Sequence, residues 1–460
     1  MGVLSMKERI ERRLIKFTNV ICITAMYAVC WFEAYGLEIQ DPFFYWGNWV
    51  LVAMFGFIYF NIARLYHGFD IHLRRISETV YSQILAVIFS NILLYSITVL
   101  INRHLLRLEP LVLTLAIQGL FIAAWSTLSH RWYFHAFPPK KTVLVGGGHR
   151  NIEYLIQRYG VNQHFQVIRS ISAHDCIQNM REALCDAEAV ILGSVHSHDR
   201  NQILKYCITT GKMAYFLPRI GDTIISGAMP SNLFHLPLRL VYRYSPKPEY
   251  LLIKRIYDIM LSLVALVCFS PVMLCVAIAI KRTDGGAIFY RQARLTKDGK
   301  VFDVLKFRSM RMDAEKDGVA RLSAGDADPR ITKVGRVIRA CRVDELPQLL
   351  NILRGDMAIV GPRPERPEIA AQYEKELPEW NLRLQCKCGL TGYAQVYGQY
   401  NTTPYDKLLM DLLYIANPSL TEDFKIIFGT VKILFMKEST EGVALNQSLL
   451  NVERKTGEKS

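Results

Sequence analysis

The sequence predicts a membrane protein of three parts: a bundle of four transmembrane α-helices, a small doubly wound α/β domain, and a mixed α/β region with a re-entrant membrane helix hairpin. Three observations predict this fold class. Four long apolar stretches fill the first third of the 460-residue chain, strand-like and helical segments alternate after Pro138-Pro139, and a fifth apolar stretch has basic pairs on both flanks. Apolar residues make up 51% of the chain and its mean hydropathy is positive, at +0.15, and together these values favour membrane segments.

The four apolar stretches cover residues 17–37, 46–66, 80–101 and 108–128. Each approaches the ~20 residues that a helix needs to cross the hydrocarbon core of a bilayer. Buried helices of a soluble core are the alternative, and four consecutive stretches almost free of charge disfavour it. Basic residues precede the first stretch and follow the fourth, although the third loop departs from the pattern with Arg103 and Arg107. The positive-inside rule therefore places both ends of the bundle in the cytoplasm.

The net charge of +14 suits an anionic membrane surface or a phosphorylated substrate. Nucleic acid is a disfavoured partner, because the sequence has no long run of lysines and arginines with interleaved aromatic residues. The 10 cysteines are scattered, and several lie inside apolar stretches. We therefore expect reduced thiols and a reducing compartment for the parts outside the membrane. No cleavable signal peptide is predicted, because the first apolar stretch is long and lacks a small-residue cleavage site.

Strand-like segments recur after the proline pair, at residues 142–146, 165–169, 189–192 and 213–217. Their alternation with helical segments predicts a parallel sheet in a Rossmann-like α/β domain over residues 141–246. The turn Gly146-Gly147-Gly148 resembles the start of a dinucleotide-binding motif, but Asn151 stands where the third glycine belongs. A folded spacer or an oligomerisation module is therefore favoured over a nucleotide site.

The fifth apolar stretch, residues 259–280, lies between the basic pairs Lys254-Arg255 and Lys281-Arg282. A simple span would place one of these pairs outside the cell, against the positive-inside bias. It would also carry everything that follows across the membrane. An ordinary kinked span is nevertheless the alternative to the hairpin described next.

Ser270-Pro271 stands in the middle of this stretch, and proline breaks or kinks a helix because it lacks a backbone donor. Each half, about 11 residues, reaches roughly 16 Å, the depth of one leaflet. We expect a re-entrant helix hairpin at about residues 250–283, with both ends in the cytoplasm and the Ser270 hydroxyl as one partner for the freed backbone groups. The residues expected at the membrane interface are Lys254, Arg255 and Asp258.

Basic side chains gather at the turns of the region that follows the fifth stretch. Arginines on rigid turns, such as Gly361-Pro-Arg-Pro364, suit bidentate recognition of phosphate oxygens. Any one of them alone is more typical of an ordinary surface charge, but together they favour a phosphate-rich substrate. The candidate phosphate contacts are Arg291, Lys306, Arg308, Arg339 and Arg363.

Asp344 and Glu345 precede Pro347 and a run of leucines at helical spacing, so they lie at or just before a helix N-terminus. The positive end of the helix dipole stabilises an ionised carboxylate there by ~0.3–1 kcal/mol. Two adjacent carboxylates also suit Mg²⁺, which bridges phosphate oxygens. The motif taken alone equally allows two ordinary capping residues.

The chain resembles the monotopic phosphoglycosyl transferases in six motifs that occur in order: Lys254-Arg255-x-x-Asp258, Ser270-Pro271, Tyr290-Arg291-Gln292, Lys306-Phe-Arg-Ser-Met310, Asp344-Glu345-Leu-Pro-Gln348 and Gly361-Pro-Arg-Pro364. The resemblance covers about residues 247–440. The four preceding spans and the α/β domain are similar to the long-form members, the undecaprenyl-phosphate glucose or galactose phosphotransferases. We therefore expect a transmembrane domain over 1–140, the Rossmann-like domain over 141–246, a catalytic domain over 247–446, and a polar tail over 447–460.

This resemblance implies transfer of a hexose-1-phosphate, with glucose or galactose as the sugar, from a UDP-sugar to undecaprenyl phosphate. Asp344 would be the nucleophile that takes the phosphosugar and releases UMP, and Glu345 would bind Mg²⁺ together with Asp344. The reaction would start exopolysaccharide, capsule or O-antigen synthesis. A multi-pass protein of the inner (cytoplasmic) membrane is implied, with its catalytic domain on the cytoplasmic face in contact with membrane lipids, and a homodimer is expected.

The chain departs from the family at Cys388, where a proline is usual, and we expect a local change in loop stiffness there. Residues 399–405 lie where members differ, so neither the sugar nor the exact polyprenyl acceptor follows from the sequence. A membrane-tethered nucleotide-sugar oxidoreductase or epimerase built on the Gly146 turn is one alternative. It is disfavoured by the incomplete glycine motif and by the lack of a nearby Tyr-x-x-x-Lys pair. A non-catalytic scaffold for polysaccharide assembly is the other alternative.

Overall fold

The computed structural model of the protein describes residues 6–36, 46–146, 156, 163–233, 235–244, 246–311, 328, 330–398 and 403–434. The chain divides into two compact units, residues 1–217 and 218–460. Most of the predicted glycine turn, with Gly147, Gly148 and Asn151, lies outside the described residues, as does the predicted polar tail over 447–460.

The first unit begins with four long apolar helices, α1 (Met6–Cys30), α2 (Gly47–Leu65), α3 (Ile76–Asn102) and α4 (Glu109–Ala136). A π-helical turn, Trp31–Tyr35, extends α1. All four helices are long and apolar enough to cross a membrane. The predicted set of apolar helices in the first third of the chain is therefore confirmed.

Buried amide and hydroxyl side chains join these helices to one another. The Tyr59 hydroxyl of α2 donates to the Asn19 Oδ1 of α1 at 2.7 Å, and the Asn19 amide donates to Gln83 of α3 at 3.2 Å. The Asn91 amide of α3 donates to Gln118 of α4 at 2.9 Å. In a hydrocarbon environment such polar pairs stabilise helix contacts that the hydrophobic effect does not drive.

The predicted parallel sheet follows the helices and is confirmed. Its strands are β1 (Lys140–Val145), β2 (Phe165–Ile171), β3 (Ala189–Leu192) and β4 (Met213–Phe216), and they lie in the order β2-β1-β3-β4. Every pairing is parallel. Parallel neighbours require crossover connections, and these contain α5 (Ala173–Gln178), α6 (Met180–Ala183) and α7 (Ser197–Thr209). Apolar side chains of β1, β3 and α7 form the buried core, among them Val143, Val190 and Ile203.

The second unit begins with α8 (Ile220–Ser226), a two-stranded ribbon of β5 (Met229–Leu233) and β6 (Leu236–Leu240), and the 37-residue helix α9 (Pro248–Asp284). An antiparallel hairpin of β7 (Phe289–Leu295) and β8 (Val301–Phe307) follows. The α-helices and strands that follow in the described residues are α10 (Lys333–Ala340), α11 (Gln348–Arg354), β9 (Ala358–Val360), α12 (Pro367–Glu376), β10 (Gly389–Thr391), α13 (Tyr393–Tyr397), α14 (Pro404–Ala416) and α15 (Leu420–Leu434). A 3₁₀ helix, Pro378–Gln385, lies between α12 and β10.

The main core of this unit lies between α11, β9, α14 and α15. Ile352, Val360, Trp380, Leu408 and Ile426 are almost completely buried in it. A second, smaller cluster joins the end of α9 to β8 and α10. The carboxyl end of β9 and the start of α11 therefore stand on a rigid base, and both lead directly to the residues of the candidate site.

Helix α9 continues through Ser270-Pro271, where the sequence predicts a break. Pro271 has no N–H for the carbonyl four residues earlier, which belongs to Val267. The Ser270 hydroxyl donates to that carbonyl oxygen at 2.8 Å. Because the freed acceptor is satisfied locally, the helical path persists on both sides of the proline. The described chain between 248 and 283 is also largely exposed and apolar, as a membrane segment requires.

Candidate active site

The Asp344-Glu345 pair lies in a 3₁₀ turn, Val343–Glu345, between α10 and α11. Arg342, just before the turn, has a φ of 53°, in the left-handed region that a residue with a Cβ rarely adopts. The Glu345 N–H donates to the Arg342 carbonyl at 3.3 Å, which closes the turn. The chain turns sharply at Arg342, between the end of α10 and the carboxylate pair. Both carboxylates lie just before α11, at a helix N-terminus as the sequence predicts.

Glu345 is held by two cations. Its Oε1 accepts hydrogen bonds from the Lys306 Nζ at 2.8 Å and from an Arg363 guanidinium nitrogen at 3.2 Å. Burial would raise the pKa of Glu345, but the charges of Lys306 and Arg363 outweigh it and hold the pKa well below its usual range. Glu345 is therefore an ionised anchor that fixes the positions of two positive charges.

Asp344 is buried, with 8% of its surface exposed. Among the residues that the structure describes, none forms a hydrogen bond or an ion pair with its carboxylate. Burial and the neighbouring charge of Glu345 raise the pKa of Asp344 to about 6, although Lys306, Arg339 and Arg363 act in the opposite direction. Two adjacent carboxyl groups thus have different properties, one ionised and engaged, the other with its oxygens available to a reactant.

The cations come from two separate parts of the unit. Lys306 lies near the end of β8, where Tyr290 pairs with it across the hairpin. Arg363 follows β9 in the Gly361-Pro362-Arg363-Pro364 loop. A Cβ on Gly392 would lie 2.1 Å from the carbonyl oxygen of Gly361, so the chain packs against this loop backbone to backbone. Such close approach requires glycine and leaves the loop little freedom.

The other predicted phosphate contacts are distributed unevenly. Arg339, in the last turn of α10, lies close enough for its charge to lower the pKa of Asp344. Arg308 follows β8 and is buried, and its backbone N–H donates to the Ile288 carbonyl at 2.9 Å. Arg291 pairs with Leu305, one position from the Tyr290–Lys306 pair. Because side chains alternate along a strand, Arg291 points to the face opposite Lys306, and the structure does not bring it to the carboxylates.

Two further arginines, which the site prediction leaves out, support the Arg363 loop. The Arg294 guanidinium donates to the Pro364 carbonyl at 2.9 Å, and burial lowers the pKa of Arg294 to about 10. The buried Arg383 donates to the Arg363 carbonyl at 2.8 Å and to the Asp411 Oδ2 at 2.9 Å. Arg383 is 20 residues beyond Arg363 and 28 before Asp411, and no local motif connects them.

The three residues expected at the membrane interface all contact other elements of the second unit. Lys254 donates to the buried Asp423 at 3.1 Å. The Arg255 guanidinium donates to the carbonyls of α11, and Asp258 accepts the backbone N–H of Ile359 at 3.1 Å. Lys254 and Asp258 are both buried. These side chains therefore attach α9 to the core.

The carboxylate pair meets the needs of Mg²⁺. That ion keeps several waters and takes one or two protein carboxylates together with substrate phosphates. Asp344 offers a buried carboxylate without a hydrogen bond or ion pair to any described residue, and a cation beside it would stabilise its ionised form. Within the described ranges no group of three or more His, Cys, Asp or Glu side chains is placed to hold a metal by itself. A site of this composition would thus depend on the substrate for its remaining ligands.

The sequence pattern of the bacterial sugar transferase family matches residues 249–437. An N-acetylgalactosaminephosphotransferase of Aeromonas hydrophila, which acts on undecaprenyl phosphate by its name, is 36% identical over 236 residues, or 51% of this chain and 55% of the relative. The UDP-glucose:undecaprenyl-phosphate glucose-1-phosphate transferase of Caulobacter vibrioides is 39% identical over 191 residues, or 40% of this chain and 71% of the relative. The Escherichia coli K12 transferase of the same name is 42% identical over 277 residues, or 56% of this chain and 58% of the relative.

The chain thus spans a little over half the length of the first and third of these relatives. The family match contains the carboxylate pair, its cations and most of α9. Neither alternative from the sequence, an oxidoreductase or a scaffold, is favoured by relatives named as sugar phosphotransferases. The matched region contains an apolar helix long enough to cross a membrane and the charged candidate site. The chain therefore belongs to the bacterial sugar transferase family, the phosphoglycosyl transferases that its motifs predict.

Proposed function

We propose that the protein transfers a hexose-1-phosphate from a UDP-sugar to undecaprenyl phosphate, as the first step of exopolysaccharide, capsule or O-antigen synthesis. The observation that carries the proposal is the unequal carboxylate pair. Asp344 is buried with its oxygens available, and Glu345 is fixed between Lys306 and Arg363. An available carboxylate next to fixed cations suits attack on a phosphorus atom whose oxygens need neutralising.

The reaction would proceed in two displacements. In the first, an Asp344 carboxylate oxygen bonds to the sugar-bearing phosphorus of the UDP-sugar, the bond from that phosphorus to the bridging oxygen breaks, and UMP leaves with that oxygen. In the second, an oxygen of undecaprenyl phosphate bonds to the same phosphorus and the bond to Asp344 breaks. Lys306, Arg339 and Arg363 supply positive charge near the phosphoryl oxygens in both steps. A covalent intermediate lets a soluble donor and a lipid acceptor use one site in turn.

Mg²⁺ is part of this proposal, with Asp344 and Glu345 as the residues that would hold it. When bound, the ion would neutralise charge on the diphosphate of the donor. The chain's own residues act in a different way: the Glu345 ion pairs hold Lys306 and Arg363 in place, and burial of Asp344 limits the access of water to the nucleophile.

We also propose that α9, which stays helical through Pro271, is kinked there, so that it enters the membrane and returns to the same side. Residues near its start contact α11 and β9 of the second unit, and Ile280 near its end packs against Phe307 and Ile338 of the same unit. A helix that crossed the bilayer could not place both ends against one compact unit. The positive-inside rule then assigns that unit to the cytoplasmic face of the inner membrane.

The finer organisation belongs to the proposal as well. It consists of a four-helix transmembrane domain over 1–140, a Rossmann-like domain over 141–246, a catalytic domain over 247–446 and a homodimeric assembly. Glucose or galactose is the proposed sugar. Relatives named for glucose support the first, and one named for N-acetylgalactosamine makes that donor a necessary comparison.

The test uses the full-length protein in lipid vesicles with UDP-glucose, UDP-galactose or UDP-N-acetylgalactosamine. A donor alone should release about one UMP per active site and leave a phosphosugar on the peptide that contains Asp344. Undecaprenyl phosphate should turn this burst into steady release. Asp344→Asn should abolish both, whereas Asp303→Asn, a change at an exposed carboxylate of β8, should leave them unchanged. Full UMP release by the Asp344→Asn variant would reject the nucleophile.

A labelling experiment tests the membrane arrangement separately. With the parent as background, a Lys300→Cys variant should react with an impermeant maleimide only in inverted membrane vesicles. Reaction from the periplasmic side would reject the re-entrant helix. The proposed transfer reaction would still be tested separately, by UMP release.

A further inference from the structure

The first turns of α9 contact both elements that carry the candidate site. The Arg255 guanidinium donates to the Ile352 carbonyl at 2.6 Å and to the Leu353 carbonyl at 2.8 Å. These carbonyls belong to the last turn of α11, where the regular helical donors four residues ahead run out; the Ile352 carbonyl accepts in addition only the N–H of Gly355, at 3.0 Å, among the backbone groups that the structure describes. One side chain therefore caps the helix whose other end follows Asp344 and Glu345.

Asp258, one turn further along α9, contacts the second element. Its Oδ1 accepts the N–H of Ile359 at 3.1 Å, and both groups are buried. β9 pairs with β10 through Ala358 and Val360, so the N–H of Ile359 points to the other edge, where Asp258 is its acceptor. Four residues after Ile359 the chain reaches Arg363. The register of this short strand thus depends on a side chain from the membrane helix.

Lys254 and Asp423 give this part of α9 a fixed position. The Asp423 carboxylate accepts hydrogen bonds from Lys254 and from the hydroxyls of Tyr250 and Tyr257 on α9, and a further one from Tyr414 of α14. Asp423 is fully buried. Four donors around one buried carboxylate leave α9 little freedom to slide or turn relative to the core.

We propose that Arg255 and Asp258 are positioning residues of the reaction: through one turn of the membrane helix they hold the carboxylate pair and Arg363 in a fixed mutual geometry. The inference rests on the proposed function, because it concerns the placement of that site. It assigns these two charged side chains, which the sequence analysis expects at the membrane interface, to backbone groups inside the unit. It also implies that the site is assembled by the same helix that anchors the protein in the bilayer.

Two conservative variants separate positioning from charge. Asp258→Asn keeps an oxygen acceptor for the Ile359 N–H and should retain UMP release within about twofold, whereas Asp258→Ala should lower kcat about 10- to 100-fold, since a displacement of about 1 Å can cost 100-fold. Arg255→Lys keeps the charge but not the two-pronged donor, so it should be as impaired as Arg255→Ala. Arg354→Lys, at an exposed arginine of α11, is the matched control and should be silent.

The opposite pattern would overturn the inference. If Arg255→Lys retained full activity while Arg255→Ala lost it, charge at the membrane surface would be the role of Arg255. Parental activity in Asp258→Ala would remove the role of Asp258. Hydrogen exchange adds a readout that does not need activity: the Ile359 amide should lose protection in Asp258→Ala and keep it in Asp258→Asn. If the parent protein releases no UMP, the proposed function is wrong and the positioning role falls with it. If the Ile359 amide keeps its protection in Asp258→Ala, only the contact between Asp258 and Ile359 is rejected.

Discussion

Replacing Arg383 by methionine tests how the Arg363 loop is supported. Arg383 is 3% exposed; its Nε donates to the Asp411 Oδ2 at 2.9 Å, and one of its terminal nitrogens lies 2.7 Å from the same oxygen in an ion pair. A second hydrogen bond, 2.8 Å long, goes to the Arg363 carbonyl, and the guanidinium lies 4.5 Å from the centre of the Trp380 ring. Methionine keeps most of the apolar volume and removes every one of these hydrogen bonds.

The expected loss of stability is large because Asp411 stays behind. Asp411 is 1% exposed, and its Oδ1 has no hydrogen-bond partner in the described structure even with Arg383 present. Removing one member of a buried pair costs about 3–5 kcal/mol, since an uncompensated charge remains. A second change, Asp411→Leu, removes that charge, so the double variant should recover at least half of the loss. A total stability of about 5–15 kcal/mol leaves room to measure both effects.

The assay is thermal unfolding in detergent combined with UMP release. Arg383→Met should unfold several degrees below the parent, and the double variant should unfold between the two. Burial raises the pKa of Asp411 even in the parent. Without Arg383 the pKa must rise further, so the single variant should gain stability relative to the parent as the pH falls. UMP release should stay low in both variants, because both lack the bond to the Arg363 carbonyl. Additive losses in the double variant, or no pH dependence of the difference, would refute this reasoning.

Three further predictions concern the site. UMP release should fall as the pH drops below about 6, because the pKa of Asp344 is raised to about 6 and its protonated form is no nucleophile; more Mg²⁺ should move this limb of the pH–rate profile to lower pH, and an unmoved limb would argue against a metal at Asp344. Lys306→Met should lower kcat/KM about 100-fold as a loss of charge stabilisation, whereas Arg291→Met, on the opposite face, should change it less than twofold. Gly392→Ala should destabilise the protein by about 1–3 kcal/mol through overpacking, whereas Gly221→Ala, whose Cβ would meet nothing within 4 Å, should be silent in thermal unfolding.

The large elements of the fold follow from local sequence patterns. Long apolar stretches predict the first four helices, and short apolar runs between helical segments predict the parallel strands near residues 142, 165, 189 and 213. Both signals are runs of apolar residues that are neighbours along the chain, and a sequence displays such runs directly. The continuity of α9 through Pro271 is different. It depends on the hydroxyl of Ser270 reaching the Val267 carbonyl, a contact whose geometry the sequence suggests but does not fix.

The candidate site divides in the same way. Asp344 and Glu345 are recognisable because they are adjacent and precede a helix. Their partners are distant in the chain: Lys306 is 39 residues before Glu345, and Arg363 is 18 residues after it. Motifs nominate such cations as candidates, and only the hairpin register separates Lys306, which reaches Glu345, from Arg291, which does not. Arg383 belongs to no recognisable motif, and its support of the Arg363 loop is evident only in the folded chain.

The charged residues at the start of α9 show why position in a sequence and position in a structure lead to different roles. A basic pair beside an apolar stretch is typical of a membrane boundary, since lysine and arginine favour the cytoplasmic surface. In the folded protein, however, the Arg255 guanidinium and the Asp258 carboxylate meet backbone groups of α11 and β9. One helix can thus begin at a membrane boundary and also contact the core, because its first turns lie against the core and its apolar remainder is exposed. In the proposed function, a catalytic site built against such a helix has its geometry set by the element that would also hold it at the bilayer, where the proposed lipid acceptor would lie.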